Sequence, residues 1–440
     1  MVFLVLNLTI LGAAPRRGHD FKFPTEFLWG AATAAHQVEG NNINNDWYEW
    51  EQQGRSAEPS GIAADFYHRY EGDFDLAKSL AHNAFRMSIE WSRIEPENGK
   101  FSNTELLHYR DVLTAARARG LKTFVTLHHF TNPLWASRQG GWSNSEMPLW
   151  FGDYVNFIVP NLSDLVDFWI TINEPNVSIL TSYVVGLTPP GIQDMKKAAI
   201  ALSNYLKAHA RAYHAIHGFS PDAKVGFAHH MRIFTPERWW HPGDILVAHF
   251  VENFWNHQIL RAMKSGHIRL SIPFVINYDE HWPELAGTLD FLGVNYYTRD
   301  YMKLDLSVKE KFVVVPHTDV PLNDLGWELY PKGLYRSLLL AGSYGVPIYI
   351  TENGLADASD SQRKNFLCTH LRQLSYAMED GVDVRGYLHW ALIDNFEWVS
   401  GYKPRFGLIA IDYKTQERHI RSSARVYQDV ISSGKLTACN

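Results

Sequence analysis

The sequence predicts a single α/β domain in which eight parallel strands alternate with helices and close into a (β/α)8 TIM barrel. Short apolar runs rich in β-branched and aromatic residues recur at about 27–34, 84–91, 123–130, 168–174, 223–229, 289–297, 347–352 and 384–392, the signature of buried strands. Stretches with apolar residues three or four apart lie between them, as amphipathic helices require. No Gly/Ser-rich or Pro-rich linker divides the 440 residues, and no glycine-rich turn follows the first run, where an open nucleotide-binding sheet would carry one.

In chain order, the first run leads to His36, Gln37 and Glu39. Phe66, Tyr70, Phe74 and Ala77 then mark a helix. The second run carries Arg86 and leads to Glu90; Leu106, Tyr109, Leu113 and Ala116 mark the helix after it. The third run ends at His128 and His129, and the fourth at Asn173 and Glu174. Helical spacing returns at about 198–217, 244–264, 332–344 and 361–379. The sixth run contributes Asn295 and Tyr297, the seventh Glu352, and the eighth Trp390, followed by Glu397 and Trp398. Parallel barrels build their sites at the C-terminal ends of the strands, so these polar residues are expected to converge on one mouth.

Two carboxyls dominate that list. Glu174 closes the run Phe168-Trp169-Ile170-Thr171-Ile172-Asn173, and Glu352 closes Pro347-Ile348-Tyr349-Ile350-Thr351. A carboxylate is costly to bury, so one that directly follows a buried strand points to a cleft. A pair of them is the minimum equipment for hydrolysing a glycosidic bond.

Composition narrows the partners. A formal charge of −6 offers no basic stripe for nucleic acid. Trp 15, Tyr 21 and Phe 24 make up 14% of the chain, enough to build flat amphipathic walls as well as core. Cys368 and Cys439 alone cannot form a disulfide framework, which fits a reducing, cytoplasmic setting. Residues 1–19 read as an N-terminal extension to a barrel spanning 20–440. The apolar run from Val2 to Leu11, followed by Gly12-Ala13-Ala14, is the competing sign of secretion, but no Lys or Arg precedes it and it is too short to span a bilayer. Asn161-Leu162-Ser163 and Asn176-Val177-Ser178 match the glycosylation pattern.

From about Phe21 onward the chain resembles glycoside hydrolase family 1, the retaining β-glucosidases and β-galactosidases. The resemblance is carried by Phe27-Leu28-Trp29-Gly30-Ala31-Ala32-Thr33 with Gln37, by Phe85-Arg86-Met87-Ser88 through Trp91, and by Thr171-Ile172-Asn173-Glu174-Pro175. Asn295-Tyr296-Tyr297, Ile350-Thr351-Glu352-Asn353-Gly354 and Asp394-Asn395-Phe396-Glu397-Trp398 complete it. It implies Glu174 as acid/base and Glu352 as nucleophile, with Arg86 and Tyr297 in contact with the nucleophile. It also implies Asn173 at the sugar 2-hydroxyl, with Asn295 in the site beside it. Gln37, His129, Glu397 and Trp398 would hold the other hydroxyls, Trp390 would form the floor, and the leaving group would stack on Trp327. Expected substrates are small β-glycosides or short oligosaccharides, with transfer to sugar acceptors as a possible companion reaction. Neither metal nor organic cofactor is expected.

Retention needs the two carboxyls about 5–5.5 Å apart. Unit charges at that distance repel by about 3 kcal/mol at an effective dielectric of 20, or about two pKa units, so one carboxyl should hold its proton near neutrality.

Two departures from the family pattern stand out. The chain has His128-His129-Phe130 where relatives carry Tyr-His-Trp, and Thr188-Pro189-Pro190-Gly191 in a loop expected to border the mouth. Three rival readings are a catalytically inactive sugar-binding protein on the same scaffold, a 6-phospho-β-glycosidase, and a metal enzyme. Retention of both glutamates opposes the first. Glu397 opposes the second, because a carboxylate repels phosphate. The third would draw on His128-His129, His229-His230 or His214 with His217, but adjacent strand residues face opposite ways and cannot readily clamp one ion.

Overall fold

The computed structural model describes residues 21–272, 275–308 and 310–439; the N-terminal extension and its apolar run lie outside them. Eight parallel strands form the barrel: β1 (Leu28–Ala32), β2 (Ala84–Ser88), β3 (Lys122–His128), β4 (Phe168–Asn173), β5 (Val225–Pro236), β6 (Phe291–Leu304), β7 (Ile348–Asn353) and β8 (Val384–Trp390). Each pairs with its sequence neighbour, and β1 closes the ring against β8, Leu28 opposite Gly386 and Ala32 opposite Trp390. Every run read from the sequence is a strand. β5 and β6 extend further than the apolar runs suggested, to Pro236 and Leu304, and the short antiparallel strand Phe312–Val315 joins the end of β6.

A helix follows every strand: α1 (Phe66–Ser79), α2 (Asn103–Ala118), α3 (Met147–Leu162), α4 (Met195–Phe219), α5 (Pro242–Glu252), α6 (Pro331–Gly342), α7 (Arg363–Glu379) and α8 (Ser422–Ser433). α3 and α8 were not singled out in the sequence. α2 starts where Ser102 Oγ accepts the Glu105 N–H, and α4 where Asp194 accepts from Lys196 and Lys197, so short polar side chains satisfy the first free amides.

Inside the ring, Ala84, Phe124, Ile170, Ala228, Phe291, Tyr349 and Leu388 form an apolar plug. Residues two or four positions further along several strands share this inward face and lie at the mouth, as a side-chain period of two dictates: Arg86 two beyond Ala84, Asn295 four beyond Phe291, and Trp390 two beyond Leu388. α8 reinforces the seam, since Tyr427 donates its hydroxyl to the carbonyls of both Gly30 and Tyr387, on β1 and β8.

Cys368 on α7 is joined to Cys439 in the C-terminal turn, with Cα atoms 5.3 Å apart. The sequence reading took two cysteines as a mark of a reducing setting, and their pairing removes that support. Their separation of 71 positions concealed a contact that exists only because the chain end folds back on α7. No helix among the described residues is long and apolar enough to cross a membrane.

Candidate functional site

Glu174 and Glu352 end β4 and β7 at the same face of the barrel, both nearly inaccessible at 6% and 4% exposure. A shared set of amides and cations links them. Asn295 Nδ2 donates to Glu174 Oε1 at 2.7 Å and to Asn173 Oδ1 at 3.1 Å. Its own carbonyl accepts the Thr351 hydroxyl at 2.6 Å, which fixes the amide orientation. Arg86 donates Nη1 to Glu352 Oε1 at 2.5 Å, Nη2 to Asn173 Oδ1 at 2.6 Å and Nε to Thr126 Oγ1 at 3.0 Å. Tyr297 OH donates to the other oxygen, Glu352 Oε2, at 2.6 Å.

The two carboxyls therefore differ electrically. Burial lifts the pKa of both. At Glu174 the charge of Glu352 pushes it further, against the pull of Asn295 and Arg86, and it lies well above the ordinary carboxylate range. At Glu352 the Arg86 cation and the hydrogen bonds from Tyr297, Arg86 and Asn295 oppose the burial effect. The Tyr297 phenol is driven well above 10, by burial and then by Glu352, so it stays a donor.

Glu174 occupies the left-handed region at φ 44°, a conformation that costs a non-glycine residue about 1–3 kcal/mol. Its N–H is held by Ala228 O at 2.8 Å, and its carbonyl accepts from Val177 and Ser178, so the surrounding backbone enforces the turn. Phe130 and Trp398, also at the mouth, have φ of 71° and 53°. Gly354 follows the Glu352 strand so closely against β8 that a Cβ there would lie 1.8 Å from Trp390 O.

One wall is built from β1, β3 and β8. Gln37, fully buried, donates Nε2 to Asn395 Oδ1 at 3.0 Å and to Phe396 O at 2.8 Å, leaving Oε1 without a partner among the described residues. His129 is stacked between the Trp390 and Trp398 rings, with centroids 6.0 and 6.2 Å away. Asn173 Oδ1 already accepts from Arg86 and Asn295, so its Nδ2 is the donor to His129 Nε2 at 3.3 Å. Burial holds the His129 pKa well below its usual value, so the ring is neutral. Trp390 Nε1 donates to Glu397 Oε1 at 3.3 Å, and burial raises the Glu397 pKa to about 8. Trp327 lies on the other side, edge-on to Tyr297 at 5.8 Å.

All twelve candidate residues of the sequence reading thus lie in this connected group, whereas three others expected at the mouth do not. Glu39 is occupied by Arg93 and Tyr109, Glu90 caps Ser92 and accepts the Thr131 hydroxyl, and His128 pairs with Asn132 against the Trp142 ring. Each belongs to the packing between strands and outer helices. In the other direction, sequence reasoning passed over Thr126, Thr351 and Glu51. Glu51 pairs with His36 at 2.8 Å, and His36 stacks on Trp398 at an angle of 10°. Phe130, at the departure from the family pattern, meets Trp398 edge-on at 5.3 Å, so the position keeps an aromatic contact but no indole donor. The loop departure holds Gly191 at φ 74° against the Trp50 ring. Asn176 is buried with its amide donated to His230 O, while Asn161 is exposed. Among the described residues no group of three or more His, Cys, Asp or Glu side chains is arranged to hold a metal ion.

A family model described as glycosyl hydrolase family 1 matches residues 19–436. β-Glucosidase A of Thermotoga maritima is 32% identical over 442 residues, covering 94% of this chain and 99% of the relative. A β-galactosidase of Pyrococcus woesei is 31% identical, covering 94% and 98%. Among solved structures, a β-glycosidase from Pyrococcus horikoshii superposes with a TM-score of 0.89 at 39% identity, covering 95% and 96%. The T. maritima β-glucosidase in complex with glucoimidazole gives 0.88 at 32% identity, covering 94% and 99%.

Proposed function

The chain belongs to glycosyl hydrolase family 1, and from that premise we propose that it is a retaining β-glucosidase, active also on β-galactosides or β-fucosides, with Glu352 as nucleophile and Glu174 as acid/base. The unequal surroundings of the two carboxyls carry this reading. Glu352 faces the Arg86 cation and the Tyr297 hydroxyl, which favour its ionised form; Glu174 is buried beside a carboxylate, which favours its proton over the opposing pull of the Asn295 amide.

In the first step a Glu352 oxygen bonds to the anomeric carbon as the bond to the leaving oxygen breaks, and the Glu174 proton passes to that oxygen. The resulting ester has no charge on residue 352, so the repulsion that kept Glu174 protonated is gone. Glu174 then takes a proton from water as the water attacks the same carbon, and free Glu352 returns. Asn173, oriented by Arg86 and Asn295, is placed to bind the sugar hydroxyl next to the reacting carbon, where contacts tighten as the ring flattens. Gln37, with its unpaired Oε1, His129, Glu397 and Trp398 bind the other hydroxyls over the Trp390 ring, and Trp327 receives the leaving group.

The substrates are terminal, unmodified β-hexosides. A 6-phospho-β-galactosidase of Staphylococcus haemolyticus is also 32% identical to the chain, and at a pKa of about 8 Glu397 alone repels phosphate only weakly. The stronger objection is that Trp398 packs among Trp47, Phe130 and the neutral His129, an aromatic wall that would strip a phosphate of water. The anomer first released from phenyl β-glucoside, followed by NMR before mutarotation, tests the reaction: β-glucose is expected, and α-glucose would exclude double displacement.

A further inference from the structure

The paired histidines His229 and His230 have no place in the chemistry above, yet the fold gives them opposite fates. Ala228 belongs to the inner plug, so a period of two turns His230 inward and His229 outward toward the helices. His230 stands in register with Asn295, the donor to Glu174. β5 lies across the ring from β1, which places His230 opposite the strand that leads to Gln37, and its ring faces Tyr297, which Trp327 meets edge-on.

The tautomer follows from the neighbours. Trp255 Nε1 approaches His230 Nδ1 at 3.1 Å, and an indole N–H can only donate, so Nδ1 is the acceptor and the ring proton sits on Nε2. The backbone is pinned by Asn176, whose amide donates to His230 O at 2.9 Å. The ring lies within 17° of parallel to Tyr297, with centroids 6.1 Å apart. No described residue accepts from Nε2–H, and the residue retains 8% exposure. Burial and the nearby Arg232 cation keep the imidazole neutral.

Tyr297 is thus flanked by a flat apolar ring, Trp327, and by a fixed neutral N–H donor. A second sugar has the same two characters, apolar ring faces and hydroxyl edges. A simple aryl or alkyl leaving group has only the first. We propose that His230 is a specificity-determining residue of the leaving-group side, donating Nε2–H to a hydroxyl of a second sugar, so that β-linked disaccharides and short oligosaccharides are favoured over simple aryl glycosides. The proposal rests on the assignment of Glu174 as the acid that faces the leaving group.

The test compares kcat/KM for cellobiose and for phenyl β-glucoside in the wild type, His230→Phe and His230→Gln. His230→Phe should lose about tenfold more on cellobiose than on phenyl β-glucoside, the scale of one neutral hydrogen bond. His230→Gln, which can accept from Trp255 and still donate, should recover most of that difference. Equal losses on both substrates would show that the ring acts only by packing against Tyr297, and no loss on either would show that it does not reach the leaving group; either overturns the proposal. A wild type that turns over phenyl β-glucoside with retention while the ratio stays fixed condemns His230 alone, whereas a wild type inactive on both condemns the assigned reaction.

Discussion

Arg86 is bound to Glu352 by a 2.5 Å ion pair whose guanidinium is completely buried, and the same guanidinium reaches Asn173 and Thr126. One cation on β2, three strands round the ring from β7, therefore biases the carboxyl pair and orients the amide next to it. Burying such a pair gains little stability by itself, because desolvation offsets the attraction. The arrangement makes sense as a device that keeps one of two neighbouring acids ionised.

Replacing Arg86 with leucine should leave Glu352 with only Tyr297 and Asn295 against burial. Its pKa rises, so the acid limb of the kcat/KM profile moves to higher pH, and kcat at neutrality falls by about 100-fold, the scale of a lost buried charge-assisted bond. An unshifted acid limb in a folded variant would mean that another group controls the ionisation of Glu352.

Glu352→Ala should reduce turnover of an aryl β-glucoside by a factor on the order of 10⁴–10⁶. Added azide should restore cleavage and give the inverted α-glycosyl azide, since a small anion can enter the space vacated by the carboxylate. Activity near wild type in the absence of azide would remove residue 352 from the nucleophile's role.

All eight strands were legible because each is buried on both faces for much of its length and so written as a largely apolar run, broken by few residues such as Arg86. α3 escaped because Met147-Pro148-Leu149-Trp150-Phe151 is apolar on nearly every face and Pro160 interrupts its end, which blurs the helical period. The hairpin of His267–Ile272 and Ile276–His281 escaped for the opposite reason, being polar along much of its length. In the site, residues with unusual chemistry at strand ends were readable, Glu174 and Glu352 above all. Thr126 and Thr351 were not, because a threonine inside a strand reads as a β-branched filler until its hydroxyl is seen to orient Arg86 or Asn295. Glu51 was hidden by topology: it reaches the Trp398 wall from a helix that precedes β2. Glu39 and Glu90 were misread because a carboxyl after a strand can equally pair with an arginine or cap a turn, and only the fold distinguishes the two.

Cys439→Ser should lower stability without altering kcat/KM. The bridge ties the C-terminal turn to α7 on the outside of the barrel and shortens the unfolded chain's freedom across 71 positions, a stabilisation of about 2–4 kcal/mol. Thermal unfolding with and without a reductant checks it: the wild type should lose several degrees on reduction, and the variant should show no further loss. Equal midpoints would show that the thiols are not joined in solution.

The basic limb of the activity profile should belong to Glu174. Its proton is needed for the first step, so kcat/KM is full below its pKa and falls as pH rises through it. That pKa is raised first by burial and next by the charge of Glu352. Glu352→Gln keeps the burial and removes the charge, so the Glu174 carboxyl should titrate at lower pH than in the wild type, a shift visible by ¹³C NMR of labelled glutamate. The same logic governs leaving groups. Glu174→Ala should cost about 10²–10⁴-fold on alkyl glucosides, which need protonation to depart, and far less on dinitrophenyl glucoside, which does not. An unshifted titration in Glu352→Gln would mean that the two side chains are electrically independent, and equal losses on both substrates would mean that residue 174 supports the site without donating the proton.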